Sequence, residues 1–283
     1  MASPVAITLY AVVSVWLLLL VAIAVDRYLH ERRARRMAAA RKSLLQSPVS
    51  DAAVLREIVG RLTLVELDAM ISDGLPPTME FAVAQAVTAR YADLVRVAAG
   101  GANIWQRIAA ARVLAASHAE KRYELLDRML RSGTPALAAA AIRILAKIND
   151  RRSADLLTKA LRAGVYSRSR IAAAIDVMSV PRADLLKTLF DAEEAQVRFW
   201  GAKLAGRLQA RQWTARVRQL MTDPDALVRR AAVEAFGIIG TADDCHVLEA
   251  RLKDPVGFVR AHAARAYARL TGSPDIEVPA NVG

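Results

Sequence analysis

The chain has 283 residues, 54% of them hydrophobic but only 5% aromatic, and a formal charge of +12. Its single cysteine, Cys245, excludes an internal disulfide and suits a reducing compartment. Of the charge, +5 falls in residues 1–42, where Arg27, Arg32, Arg33, Arg35, Arg36, Arg41 and Lys42 stand against Asp26 and Glu31; the rest is basic but mixed, which weighs against a nucleic-acid partner.

Val5–Val25 is a run of 21 residues without a charge, Gly or Pro, enough as a helix to span about 30 Å of hydrocarbon. A core helix of a soluble domain is rarely so apolar. A cleaved signal peptide would carry its basic residues before a shorter run. Here the basic cluster comes after the run, so the positive-inside rule leaves residues 1–4 outside and the rest of the chain in the cytoplasm. The expectation is a single-pass anchor in a bacterial inner membrane. Residues 26–50 continue as a basic juxtamembrane helix and linker, rich in Ala, Arg and Leu and ended by Ser47-Pro48. Arg32, Arg33, Arg35 and Arg36 are its membrane-surface residues, a topology signal that could also attract anionic lipid.

Residues 51–102 form an atypical helical cap. Thr63 is the expected N-cap of one helix, with Gly74 near its end. Thr78, after the Pro76-Pro77 break, is the expected N-cap of a longer helix reaching residue 99. Residues 103–272 repeat. Trp105, Leu137, Ser169, Val197, Val228 and Val259 are aligned as one position, with steps of 32, 32, 28, 31 and 31. After each comes a helix with small and aliphatic residues at helical spacing. Such a period predicts stacked helical hairpins that bury their apolar faces on one another. No stretch alternates with period two, so no sheet is expected. Residues 273–283 read as a flexible tail.

The pattern D-P-x-x-x-V-R followed within one or two residues by Ala-Ala, at 223–232 and 254–264, resembles HEAT repeats, of the bacterial kind also found in phycobilin lyases. The resemblance is good over 192–271, weaker over 103–192 and poor over 51–99. It implies an all-α fold, a transmembrane helix followed by a right-handed HEAT-type α-α solenoid. It also implies a structural ladder of Asp and Arg between repeats, carried here by Asp223, Arg229, Asp254, Arg260 and Arg198, although the repeat of Arg198 lacks the Asp-Pro pair. The second helix of each pair would line a concave groove, with Arg230, Lys203, Arg265 and Phe199 as partner-binding candidates.

No nucleotide loop, nucleophile elbow or zinc-ligand spacing occurs. Cys245 and His246 are neighbours on a helix and point apart. No catalytic residue, metal or cofactor is assigned. The reading is a membrane-anchored, non-enzymatic scaffold or accessory subunit that docks a protein, either a membrane protein such as a glycosyltransferase or a membrane-recruited one. Two alternatives stay open. A bilin lyase or chaperone would show a pigment-sized pocket with a liganding His or Cys. A HEAT-like nucleic-acid binder would need a continuous basic face, which Glu193, Glu194, Asp225 and Glu234 are expected to interrupt.

Overall fold

In the computed structural model, which describes residues 4–46, 52–101, 103–179 and 183–272, every regular element is helical and no strand occurs among these residues. The expected tail and the Ser47-Pro48 linker lie outside them. Two units divide the chain, residues 1–122 and 123–283.

The first unit begins with α1 (Pro4–Gln46), an unbroken helix of 43 residues. Among the described residues it is the one helix long and apolar enough to cross a membrane, and its large apolar side chains from Val13 to Val25 are exposed. The last turns behave differently. Leu44 is 2% exposed, Arg36 donates to the buried carboxylate of Glu66 at 2.8 Å, and Arg41 donates to the Gly74 carbonyl at 3.3 Å. These contacts seat α1 on α2 (Ala52–Arg61) and α3 (Leu64–Ser72). Thr63 caps α3 reciprocally with Glu66, so two backbone donors at the helix start are satisfied. Burial pushes the Glu66 carboxyl up, but hydrogen bonds from the Thr63 backbone and hydroxyl and the charges of Arg36 and Arg33 hold it below the usual carboxylate range.

Two local expectations fail here. The next helix, α4 (Pro77–Arg90), starts on Pro76-Pro77 rather than after them; Pro76 is the N-cap and Pro77 the first helical residue, so Thr78 is not a cap. A proline at that position forfeits no bond, because its missing N–H would be unpaired there anyway. The helix also stops short of residue 99. Tyr91 leaves helical geometry, and Arg90 turns back to donate to the carbonyls of Val59 and Leu62 at the end of α2. That tertiary contact overrides the local propensity. A short α5 (Leu94–Arg96) and a π-turn over Val97–Gly101 lead into α6 (Ile104–Ala116), capped by Asn103.

The second unit holds α7 (Arg122–Leu130), α8 (Pro135–Ile148), α9 (Arg151–Ala163), α10 (Arg168–Asp176), α11 (Ala183–Phe190), α12 (Ala195–Arg207), α13 (Thr214–Leu220), α14 (Ala226–Ile239), α15 (His246–Leu252) and α16 (Gly257–Thr271). Each even-numbered helix packs on the next one, from α8 through α16, and α12, α14 and α16 also pack on the helix before them in the chain. Leu137, Val197, Val228 and Val259 are fully buried at one equivalent position.

Trp105 and Ser169 do not align with that position; Gln106 is exposed and Arg168 half-buried too, and the register is set by the buried residues that follow. The buried Ala109, Ala110, Val113 and Leu114 of α6 match Ala231, Ala232, Ala235 and Phe236 of α14 when Gln106 stands for Val228. The buried Ile171, Ala172 and Ile175 of α10 match when Arg168 does. The aligned positions are then 106, 137, 168, 197, 228 and 259, with steps of 31, 31, 29, 31 and 31. Alanine-rich helices carry nearly the same apolar signal in adjacent frames, and a slip of one residue turns the helix by about 100°.

Two glycines nine residues after the buried position let the even-numbered helices approach closely. A Cβ on Gly206 would lie 2.9 Å from Ala235 Cα, and one on Gly237 would lie 2.7 Å from Ala266 Cβ. Gly60, within α2, faces open space. Gly237→Val is therefore expected to destabilise by about 1–3 kcal/mol through overpacking, whereas Gly60→Ala stabilises by about 0.5–1 kcal/mol by restricting the unfolded chain. Thermal melts of the detergent-solubilised chain monitored by circular dichroism check both signs.

Candidate functional site

The alternating layers place two kinds of arginine side by side. Val228, Arg229 and Arg230 are consecutive on α14, about 100° apart around the helix, so one points into the core, the next toward the adjoining loops and the third outward.

Arg229 has 11% of its side chain exposed, and its partner Asp254 none. Its Nε and Nη2 donate to the two Asp254 oxygens at 2.9 and 3.0 Å, while Nη1 donates to the carbonyls of Asp223 and Pro224 at 3.0 and 3.1 Å. Arg198 repeats the arrangement one unit earlier: it donates to Asp223 at 2.7 and 3.0 Å and to the carbonyls of Ala192 and Glu193. It needs no Asp-Pro in its own repeat, because the carboxylate it meets belongs to the next one. Each aspartate also accepts a backbone N–H two residues on, from Asp225 at 2.9 Å and from Val256 at 3.0 Å. Arg260 donates to the carbonyls of Asp254 and Pro255 at 2.9 and 3.2 Å. In the corrected register Arg107 of α6 stands where Arg229 does, and it donates to the carbonyls of Ala98 and Ala99. Burial pushes the Asp254 carboxyl up, but the Arg229 and Val256 hydrogen bonds and the charges of Arg229 and Arg251 hold it below the usual range. Hydrogen bonds to the aspartates hold Arg198 and Arg229 further up.

The outward residues fall two, six and ten places after the buried position of α8, α10, α12, α14 and α16. The first row is Ala139, Arg170, Phe199, Arg230 and Ala261. Arg143, Ala174, Lys203, Glu234 and Arg265 make the second. Lys147, Arg207, Ile238 and Arg269 make the third, the corresponding Met178 being buried just past the end of α10. Of the fourteen outward residues eight are Lys or Arg and one is acidic. Glu193, Glu194 and Asp225 do not interrupt this strip, since they precede helix starts; Glu194 and Asp225 are the N-caps of α12 and α14.

Arg230, Lys203, Arg265 and Phe199 come together here, and Glu234 is the hub. It receives Lys203 from α12 and His262 from α16, the latter at 2.8 Å, with Arg230 Nε at 4.0 Å. The Arg230 guanidinium lies over the rings of Phe199 and Phe258, 5.8 and 5.9 Å from their centroids. Arg265 contacts His262 at 3.2 Å, and with Glu234, Ile238, Ala266 and Arg269 these two line a cavity of about 250 Å³. From the sequence Glu234 is expected only as an acid within the basic face and Phe258 only as a possible anchor beside Phe199; His262 and Arg269 are not singled out. The alignment of Val197, Val228 and Val259 already puts Glu234 and Arg269 in rows with Lys203 and Arg207.

The juxtamembrane arginines part company. Arg36 is engaged by Glu66 and so turns toward the protein, while Arg35 lies 3.6 Å from Glu31, and Arg33 acts on Glu66 through its charge. Arg32 is exposed. Two other cavities, each about 590 Å³, are lined by polar residues of α9 and α11 with Glu194, and by Leu55, Val59 and the alanines of α4. Neither lining includes His or Cys. Cys245 lies beside Tyr267, whose hydroxyl it holds above its ordinary range, and His246 contacts the Asp243 carbonyl at 3.0 Å. Among the described residues, no group of three or more His, Cys, Asp or Glu could hold a metal ion.

Residues 183–268 match the family described as HEAT repeats. No curated protein matches it. It is similar to YibA of Escherichia coli, with 18% identity over 80% of this chain and 88% of that one and a TM-score of 0.36. A second similar structure is the complex of CpcE and CpcF of phycocyanin lyase from Nostoc sp. PCC7120, with 17% identity over 81% of this chain and 86% of that one and a TM-score of 0.31.

Arg229→Ala removes the two-point partner of the buried Asp254, leaving it Arg251 at 3.5 Å and the Val256 N–H, and is expected to cost about 3 kcal/mol. Arg230→Ala, at a half-exposed site, is expected to cost under about 1 kcal/mol; melting temperatures of the two variants check the order. The folded pKa of Asp254 lies below its unfolded value of about 3.9. Its contribution is therefore full above about pH 4 and lost as pH falls through the folded value. The stability gap between wild type and Asp254→Asn should narrow below about pH 4 in denaturant titrations run across pH.

Proposed function

We propose that this chain is a membrane-anchored, non-enzymatic scaffold of a bacterial inner membrane. In this reading α1 crosses the bilayer with its N-terminus out, and the repeats dock a protein partner on the exposed strip of α8 to α16. HEAT repeats commonly serve protein–protein interaction, and the bare apolar half of α1 suits a lipid environment. The observation that carries the reading is the division of labour within α1. Its first part presents exposed apolar side chains, while its last turns are seated on α2 and α3 by Leu44, Arg36 and Arg41. The same helix that would enter the membrane is thus part of the folded first unit, and acts as a stalk rather than a loose tether.

Confinement to a surface raises the effective concentration of the repeats toward other membrane proteins. The expected partner is an integral-membrane enzyme, a glycosyltransferase being one such class, or a cytosolic protein recruited beside one. Anionic headgroups would be met by Arg32, Arg33 and Arg35 more than by Arg36, which Glu66 holds.

In-membrane crosslinking at native expression level, with the full-length chain and a version starting at Ser50, tests this. Recovery of one membrane protein by the full-length chain alone is the expected outcome. A chain that fractionates away from membranes, or that recovers no specific protein in either form, overturns the reading.

A further inference from the structure

The strip is not a neutral groove. Helices α8, α10, α12, α14 and α16 contain twelve Lys or Arg but only two acids, Asp176 and Glu234. Arg198, Arg229 and Arg260 are spent on loop carbonyls and inter-repeat aspartates. Arg207 is paired with Asp176. Among the described residues the other acids of the second unit sit on the odd-numbered helices and the loops, so a charge total that looks mixed in sequence is sorted by face in space.

Within this face one carboxylate shows what the geometry accepts. Glu234 takes Lys203 from α12 and the His262 ring from α16 while projecting from α14 between them. That is possible because Gly206 and Gly237 bring the three helices close together. Beside it, Arg230 Nε makes no hydrogen bond although it is buried, and Arg265 and Arg269 line an open cavity next to the exposed Ile238. The cationic row therefore continues past the carboxylate it already holds.

We propose that this face receives an acidic, partly apolar segment of the protein partner, its carboxylates reaching Arg265, Arg269 and Arg143 and its apolar side chains resting on Ile238 and Phe258. The inference rests on the scaffold reading and specifies the chemistry of what is docked. The apolar share of the face favours a protein segment over a nucleic acid, since Ile238 and Phe258 lie exposed beside the cations. Glu234, in the middle of the path, opposes an unbroken run of phosphates but is compatible with widely spaced carboxylates.

The test uses the full-length chain in detergent micelles and a fluorescent helical peptide of about 21 residues with Glu at every seventh position and Leu four places later. The controls are the same peptide with Gln for Glu and a single-stranded oligonucleotide. The acidic peptide is expected to bind at least about tenfold more tightly than its Gln counterpart, with affinity falling as salt rises. Arg265→Ala with Arg269→Ala, both exposed, should lower that affinity about tenfold, and Glu234→Gln should raise it by freeing Lys203 and His262. Equal binding of the Glu and Gln peptides, tighter binding of the oligonucleotide, or a double variant that binds like wild type overturns the inference. Crosslinking the double variant in membranes separates the two readings. If it recovers the wild-type partner at wild-type yield, the scaffold reading stands and the acidic docking face is wrong. If the yield falls while the melting temperature is unchanged, both are supported.

Discussion

The contact between Arg229 and Asp254 sets the spacing on which the second unit depends. One guanidinium is divided between two tasks. Its Nη1 closes the loop ahead of its own helix by binding the carbonyls of Asp223 and Pro224, and its other nitrogens clasp the carboxylate of the next repeat. That carboxylate is tied down in turn by the Val256 N–H. Loop shape and repeat-to-repeat distance are therefore fixed by the same atoms. Arg198 with Asp223 does likewise, so the arrangement propagates from α12 to α16. Both partners are largely desolvated, so neither tolerates loss of the other.

Once that distance is set, the small residues decide how near the helices come. Gly206 and Gly237 stand where a methyl group would collide with Ala235 and Ala266. The closeness they permit is what allows Lys203, Glu234 and His262, on three successive helices, to form one cluster, and what places Arg230 against both Phe199 and Phe258. Packing inside the layer and the chemistry displayed outside it are thus two faces of one geometric fact. Adjacent arginines on one helix serve opposite ends: Arg229 is consumed by the architecture, and Arg230 is left at the surface.

The first unit solves a different problem. A bare apolar helix need not be packed against the domain it precedes. Here the buried Leu44 and the pairing of Arg36 with a carboxylate that also caps α3 join the helix to the fold beyond it. The basic cluster after the apolar run is consequently not one patch. Arg36 is drawn inward by Glu66, whereas Arg32 stays exposed.

The sequence by itself determined the helical class, the long apolar helix, the period and the four buried positions Leu137, Val197, Val228 and Val259, because helical spacing and a repeated D-P-x-x-x-V-R pattern are local signals. It could not determine the frame of α6 and α10, where runs of alanine carry the same apolar pattern in neighbouring registers, nor the end of α4, where a contact from Arg90 to α2 outweighs helix propensity. The candidate site was half legible. Arg230, Lys203, Arg265 and Phe199 could be named as off the apolar stripe, but Glu234, His262 and Phe258 join them only through helix proximity. The sorting of charge was equally hidden: the acids and bases alternate along the chain, and only the folding of every second helix into one layer turns a mixed composition into a basic face.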